Sequence, residues 1–143
     1  MGNFYFSNGI FFIVNKKPDV LALNEYKKVN RSPSFAVQSG PWLLLNSTIN
    51  PKLSSSIKTK FTRSAIGVSK SQKVFIAISK TPITQYSFAQ YLTKDYGCKS
   101  ALYLDGGVVS HVSDDFSFNV NQKLFSTILV NQATDQSHYN DAL

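Results

Sequence analysis

Ser100-Ala101-Leu102-Tyr103-Leu104-Asp105-Gly106-Gly107 is an apolar run that ends in a carboxylate and two glycines. It is too short for a helix and too apolar for a loop, so it reads as a buried strand. Packing gives no reason to end such a strand on an aspartate. Two glycines after it let the backbone turn sharply, or let a ligand approach the main chain. Two readings follow. In one, the strand carries Asp105 to the rim of a site, with Gly106 and Gly107 beside it. In the other, Asp-Gly is a plain hairpin turn, for which it is a strong signal.

Upstream, Pro82 and Thr84 open a helix predicted over about 85–96. Phe88, Ala89, Leu92 and Tyr96 recur at helical spacing and form its inward face. Gly97 stops it. Cys98, the sole cysteine, allows no internal disulfide and no cysteine zinc site, and reads as a buried structural thiol.

Further back, Arg63-Ser64-Ala65-Ile66-Gly67-Val68-Ser69 and Lys73–Ser79 read as strands joined by a Lys70-Ser71-Gln72 turn. Arginine at a strand's edge suits a bidentate grip on phosphate or carboxylate; the plain alternative is an exposed surface arginine. Residues 46–62, rich in Ser, Thr and Lys, read as a loop or flap without core content. Phe35–Asn46 reads as strand, break, strand, with Gly40-Pro41 as the break. Gln38 and Ser39 beside it either satisfy loop backbone or line a pocket with an amide and a hydroxyl. Asn24 is expected to cap a short helix over about 24–30, with Tyr26 inward. Phe4–Val14 reads as two strands around an Asn8-Gly9 turn.

Downstream, Val108–Val112 and Phe125–Val130 read as strands. A polar loop with Asp114 and Asp115 lies between them, and residues 131–143 form a polar tail. The fold class is α+β: a mainly antiparallel twisted sheet with one principal helix and the short one near 24–30. Residues 1–130 form one domain.

Composition agrees. The chain is 43% hydrophobic, enough for a core, and Glu25 is its sole glutamate, which disfavours long solvated helices. Charge is uneven: residues 1–80 hold 12 Lys/Arg against Asp19 and Glu25, and residues 81–143 hold 3 Lys against 6 Asp. A basic half attracts phosphate, nucleic acid or anionic glycans. Its lysines are scattered and no nucleic-acid motif appears, so a nucleic-acid partner ranks last. No run reaches membrane-spanning length. The N-terminus is a poor signal peptide, so the chain is intracellular or its true start lies upstream; the compartment is unassigned.

Four segments stand in a recognisable order: Phe35–Leu43, Arg63–Val68, the helix Tyr86–Gly97 and Ala101–Gly107. Together they resemble the phosphodiester glycosidase family, whose animal member is the uncovering enzyme that removes N-acetylglucosamine from mannose-phosphate diesters; bacterial members are the closer match. Asn8-Gly9 and its flanking Phe residues resemble a family strand too. Two departures stand out. The family's upstream Asn-Ala-Gly segment has no counterpart, so the chain resembles a member lacking the N-terminal part of the domain. Val108-Val109 occupy positions of small, serine-containing residues, and Ser110 alone keeps the serine.

The resemblance implies hydrolysis of a sugar-1-phosphodiester or related glycan. Asp105 would be the catalytic or sugar-orienting carboxylate and Arg63 the phosphate clamp. Gln38, Ser39 and Ser110 would add hydrogen bonds, and Gly106 and Gly107 close main-chain approach. Ordinary glycosidases use two carboxylates; a phosphate leaving group lowers the demand for a strong acid, so one carboxylate and an arginine suffice. Asp114 or Asp115 as the second carboxylate, and His111 as proton donor, are weaker candidates. No cofactor is required; an oxygen-ligand cation near Asp105 is compatible with these residues, but nothing demands one. The alternative is an inactive remnant that binds glycan or phosphate.

Overall fold

The computed structural model describes residues 8–29, 32–106, 111–112 and 117–118. Strands β1 (Gly9–Val14), β2 (Lys17–Ala22) and β3 (Phe35–Ser39) form an antiparallel sheet in the order β2-β1-β3. Helix α1 (Leu23–Tyr26) follows β2. A five-stranded antiparallel sheet contains β4 (Trp42–Leu45), β5 (Thr48–Ile49), β6 (Arg63–Ser69), β7 (Val74–Ile78) and β8 (Cys98–Gly106), in the order β5-β4-β8-β6-β7. Helix α2 (Gln85–Lys94) enters β8. A short pair, β9 (His111–Val112) with β10 (Ser117–Phe118), completes the described elements.

The layers are helix, sheet, sheet, helix. On one face of the larger sheet Phe88, Ala89 and Leu92 of α2 pack with Leu44, Ala65, Ala101 and Tyr103. On its other face Phe11 and Val20 of the small sheet pack against Val68 and Leu102. The outer side of β1 presents Ile10, Phe12 and Val14 to Leu23 and Tyr26. Both faces of β1 are covered, which is why its residues form a continuous apolar run rather than an alternation. The same holds for β8: Cys98, Ser100, Ala101 and Leu102 are all fully buried.

The helix follows its local signals. The Thr84 hydroxyl accepts the Ser87 N–H at 3.1 Å, and Gly97 adopts the left-handed conformation that ends the segment. Tyr96, however, lies beyond α2 and is 69% exposed, so it is not part of the inward face.

Three further expectations are corrected. Gly9 is not a turn residue: it pairs with Ala22 on one side and Ser39 on the other. A Cβ there would run into Leu102 Cδ1 and lie 3.2 Å from Trp42 Cβ, so the close crossing of β1 over the larger sheet favours glycine. The hairpin turn is Asn15-Lys16 instead, both at positive φ. Asn24 lies inside α1, whose cap is Ala22 with no side-chain bond; Tyr26 does face inward, its ring 5.1 Å from Phe12. Segment 46–62 contains β5 and has core content, because Asn50 and Leu53 are buried. The Asn50 amide donates to Trp42 O at 2.8 Å, which folds the segment back onto β4. The expected strand Phe4–Phe6, the strand Phe125–Val130 and the tail lie outside the described residues.

Among the described residues, no helix is long and apolar enough to cross a membrane.

Candidate active site

Central strand β8 stays strand through Gly106, so Asp105-Gly106 is not the corner of a two-residue turn. Its end pairs with the start of β6. Asp105 is in register with Ser64 and Gly106 with Arg63. The register shifts between Ser64 and Ala65, whose partner is Tyr103, so Leu104 is the additional residue of a bulge. Without that bulge, Asp105 would stand opposite Arg63.

The third strand end at this rim is that of β3. The Ser39 hydroxyl donates to Leu104 O at 3.3 Å, which ties the end of β3 to the bulge. Gln38 has the opposite parity on β3 and is exposed. The backbone thus gathers Ser39, Arg63, Asp105 and Gly106, with Gln38 one residue away. Gly107 and Ser110 lie outside the described residues, as do Asp114 and Asp115.

Arg63 is not an exposed surface arginine. It is 7% exposed, and its guanidinium is held from three sides. Nη1 donates to the Tyr103 hydroxyl at 2.9 Å, Nε to Ile83 O at 3.1 Å and Nη2 to Thr59 O at 3.2 Å. The group also lies 5.1 Å from the Phe61 ring centre and 5.7 Å from that of Tyr103, within cation–π range. A buried guanidinium must be paired, and neutral acceptors in a fixed fork suit it. Those three bonds use three of its N–H groups, and an arginine carries five. On the α2 side the adjoining cavity is about 20 Å³, lined by Leu53, Ser54, Ile57, Arg63, Gln85 and Tyr86. That is room for about one water and not for a sugar.

Two residues here were not singled out as site residues. Tyr103 belongs to the apolar run of β8, yet its hydroxyl is one of the three acceptors that fix Arg63. The available signal was the phenol itself, since a buried tyrosine hydroxyl requires a partner. Asn8 is the other: its side-chain oxygen accepts the Trp42 N–H at 3.3 Å and its carbonyl accepts the Leu23 N–H at 2.8 Å. It pins the Gly40-Pro41-Trp42 corner beside Ser39. Cys98 is fully buried, and burial pushes its thiol up to about 11, so it is a structural thiol and no nucleophile.

These features define an α+β domain of two packed antiparallel sheets, with an Asp-Gly strand end set beside a buried arginine. The chain belongs to the phosphodiester glycosidase family, whose model matches residues 5–134. It is 31% identical over 112 residues to the uncharacterized protein YigE of Escherichia coli K12, an alignment covering 78% of this chain and 43% of that protein. Its fold is similar to the zebrafish N-acetylglucosamine-1-phosphodiester alpha-N-acetylglucosaminidase catalytic domain, a structure auto-inhibited by its pro-peptide. That match has a TM-score of 0.55 at 18% identity and covers 71% of this chain and 40% of that one. A hypothetical protein from Synechocystis aligns at 17% identity and a TM-score of 0.44, over 71% of this chain and 28% of its own. The chain thus spans under half the length of these relatives.

Proposed function

We propose that this chain contributes the carboxylate side of a glycosidase site that cleaves a sugar-1-phosphodiester. The observation that carries the proposal is the meeting of strand ends: β8 at Asp105-Gly106, β6 at Arg63-Ser64, and Ser39 bonded to Leu104 O. Family membership supports a sugar-derived ligand.

In the proposed reaction, the bond between the anomeric carbon and a phosphate oxygen breaks. Water supplies hydroxide to the carbon, and its proton leaves with solvent or the phosphate. The products are a free sugar and a phosphate monoester. Asp105 stabilises positive charge developing at the anomeric centre, or orients the sugar that bears it. Arg63 offers the N–H groups not used by Tyr103, Ile83 and Thr59 to a phosphate oxygen. Ser39, Gln38 and Ser110 supply hydrogen bonds, and Gly106 and Gly107 let the sugar lie against the main chain. The phosphate monoester is already a good leaving group, so a second carboxylate is not essential.

A second reading is favoured by one fact: the chain spans under half of its relatives. On that reading it binds a sugar phosphate without turning it over. Asp105→Asn and Arg63→Ala, assayed on a sugar-1-phosphodiester beside ligand binding, separate the two. Turnover that Asp105→Asn abolishes supports the first, and binding with no turnover in the natural chain supports the second.

A further inference from the structure

Ser64 follows Arg63 on β6, and the two serve opposite faces of the larger sheet. Along that strand Ile66 and Val68 pack with Phe11 and Val20 of the small sheet, whereas Ala65 packs with Phe88 and Ala89 of α2. Side chains alternate along a strand, so Ser64 takes the small-sheet face and Arg63 the α2 face. The bond from Arg63 to Tyr103, a residue of the α2 face, agrees with this. Ser64 is 7% exposed, so its hydroxyl requires a partner within the fold.

The bulge decides which of the two meets Asp105. In an unbroken ladder Asp105 would stand opposite Arg63, and opposite charges placed so pair across the strands. With Leu104 as the additional residue, Asp105 is in register with Ser64. Directly opposed residues share a face, with Cβ atoms about 4.5–5.5 Å apart. On its other side Ser64 is opposed by Ile78, and Ile66 lies two places along β6. Of these three neighbours, Asp105 alone has a side chain that can accept a hydrogen bond. Arg63 is meanwhile held by three neutral acceptors. Ser39 reaches the same bulge from the small sheet, but its one O–H donates to Leu104 O.

We propose that Ser64 is a positioning residue whose hydroxyl donates to the Asp105 carboxylate and holds it on the small-sheet face, apart from the Arg63 guanidinium. This inference rests on the reading of Asp105 as the carboxylate of the site. A carboxylate paired with a guanidinium would lose much of its pull on a developing positive charge. A single hydroxyl donor fixes its direction and leaves its charge and its other lone pairs to the sugar. The guanidinium keeps its unused N–H groups for phosphate.

The test uses the full chain. Urea midpoints are measured for Ser64→Ala, Asp105→Ala and the double variant. The kcat and KM on a sugar-1-phosphodiester are measured for Ser64→Ala and Ser64→Thr. Ser64→Ala should lower the midpoint of the natural chain and leave that of the Asp105→Ala chain unchanged. In turnover it should lower kcat about tenfold with KM within about twofold, and Ser64→Thr, which keeps the hydroxyl, should restore kcat. Equal midpoint losses in both backgrounds, or an active chain whose kcat Ser64→Ala leaves unchanged, would overturn the proposal. Coupled midpoints in a chain without turnover would uphold the Ser64–Asp105 bond and count against the glycosidase reading alone.

Discussion

The Arg63 guanidinium donates to the Tyr103 hydroxyl at 2.9 Å, within the buried layer beneath the end of β8. The two residues lie on paired strands, and the bulge at Leu104 separates their levels. Arg63 therefore serves as a fixed post that joins β6, β8 and the Thr59 and Ile83 backbone.

Loss of that post should be costly. Arg63→Ala removes three buried bonds, to the Tyr103 hydroxyl, Ile83 O and Thr59 O, for a loss of about 3 kcal/mol in denaturant unfolding. Arg63→Lys should recover only part of it, since one ammonium cannot span three acceptors in a planar fork. Tyr103→Phe should cost about 1–2 kcal/mol. Arg63→Ala with unchanged stability would show that the fork is not structural.

Gly9→Ala should destabilise by about 1–3 kcal/mol, because the added Cβ runs into buried Leu102 beside Trp42. Reduced unfolded-state entropy offsets only about 0.4–1 kcal/mol of this. Urea midpoints of Gly9→Ala, Leu102→Ala and the double variant check it. The double variant should be more stable than the sum of the singles implies, because the shorter side chain removes the overlap. Strict additivity would count against the clash.

Cys98 provides a pH dependence with a definite sign. Its thiol is raised from 9.0 to about 11 by burial, so the folded state holds the proton more tightly than the unfolded one. This contribution is fully present below pH 9 and is lost as pH rises through 11. Across that window it amounts to about 2–3 kcal/mol. Cys98→Ala should flatten the fall in stability between pH 9 and 11 relative to the natural chain. Parallel curves would show that the thiol does not titrate differently on folding.

Much of this fold was legible because its signals are local. Thr84, the Phe88-Ala89-Leu92 stripe and Gly97 mark α2, and Gly40-Pro41 divides β3 from β4. Gly9 was misread because an Asn-Gly pair has two uses, a turn or a close crossing, and only the packed sheet tells them apart. Tyr96 kept the helical spacing but falls after the helix has ended. Asn50 and Leu53 were hidden in a polar segment, since their burial depends on contact with β4. At the candidate site, the type and order of Asp105, Arg63 and Ser39 were readable. The burial of Arg63 was not, because two of its three partners, Ile83 and Tyr103, lie 20 and 40 residues away in sequence.

The most direct measurement is release of free sugar from a sugar-1-phosphodiester by the natural chain and by Asp105→Asn. The expected result is turnover by the natural chain and a loss of at least about a hundredfold in kcat/KM for the variant, with sugar-phosphate binding retained. Equal turnover by the two proteins would contradict the assignment of Asp105, and with it the central claim.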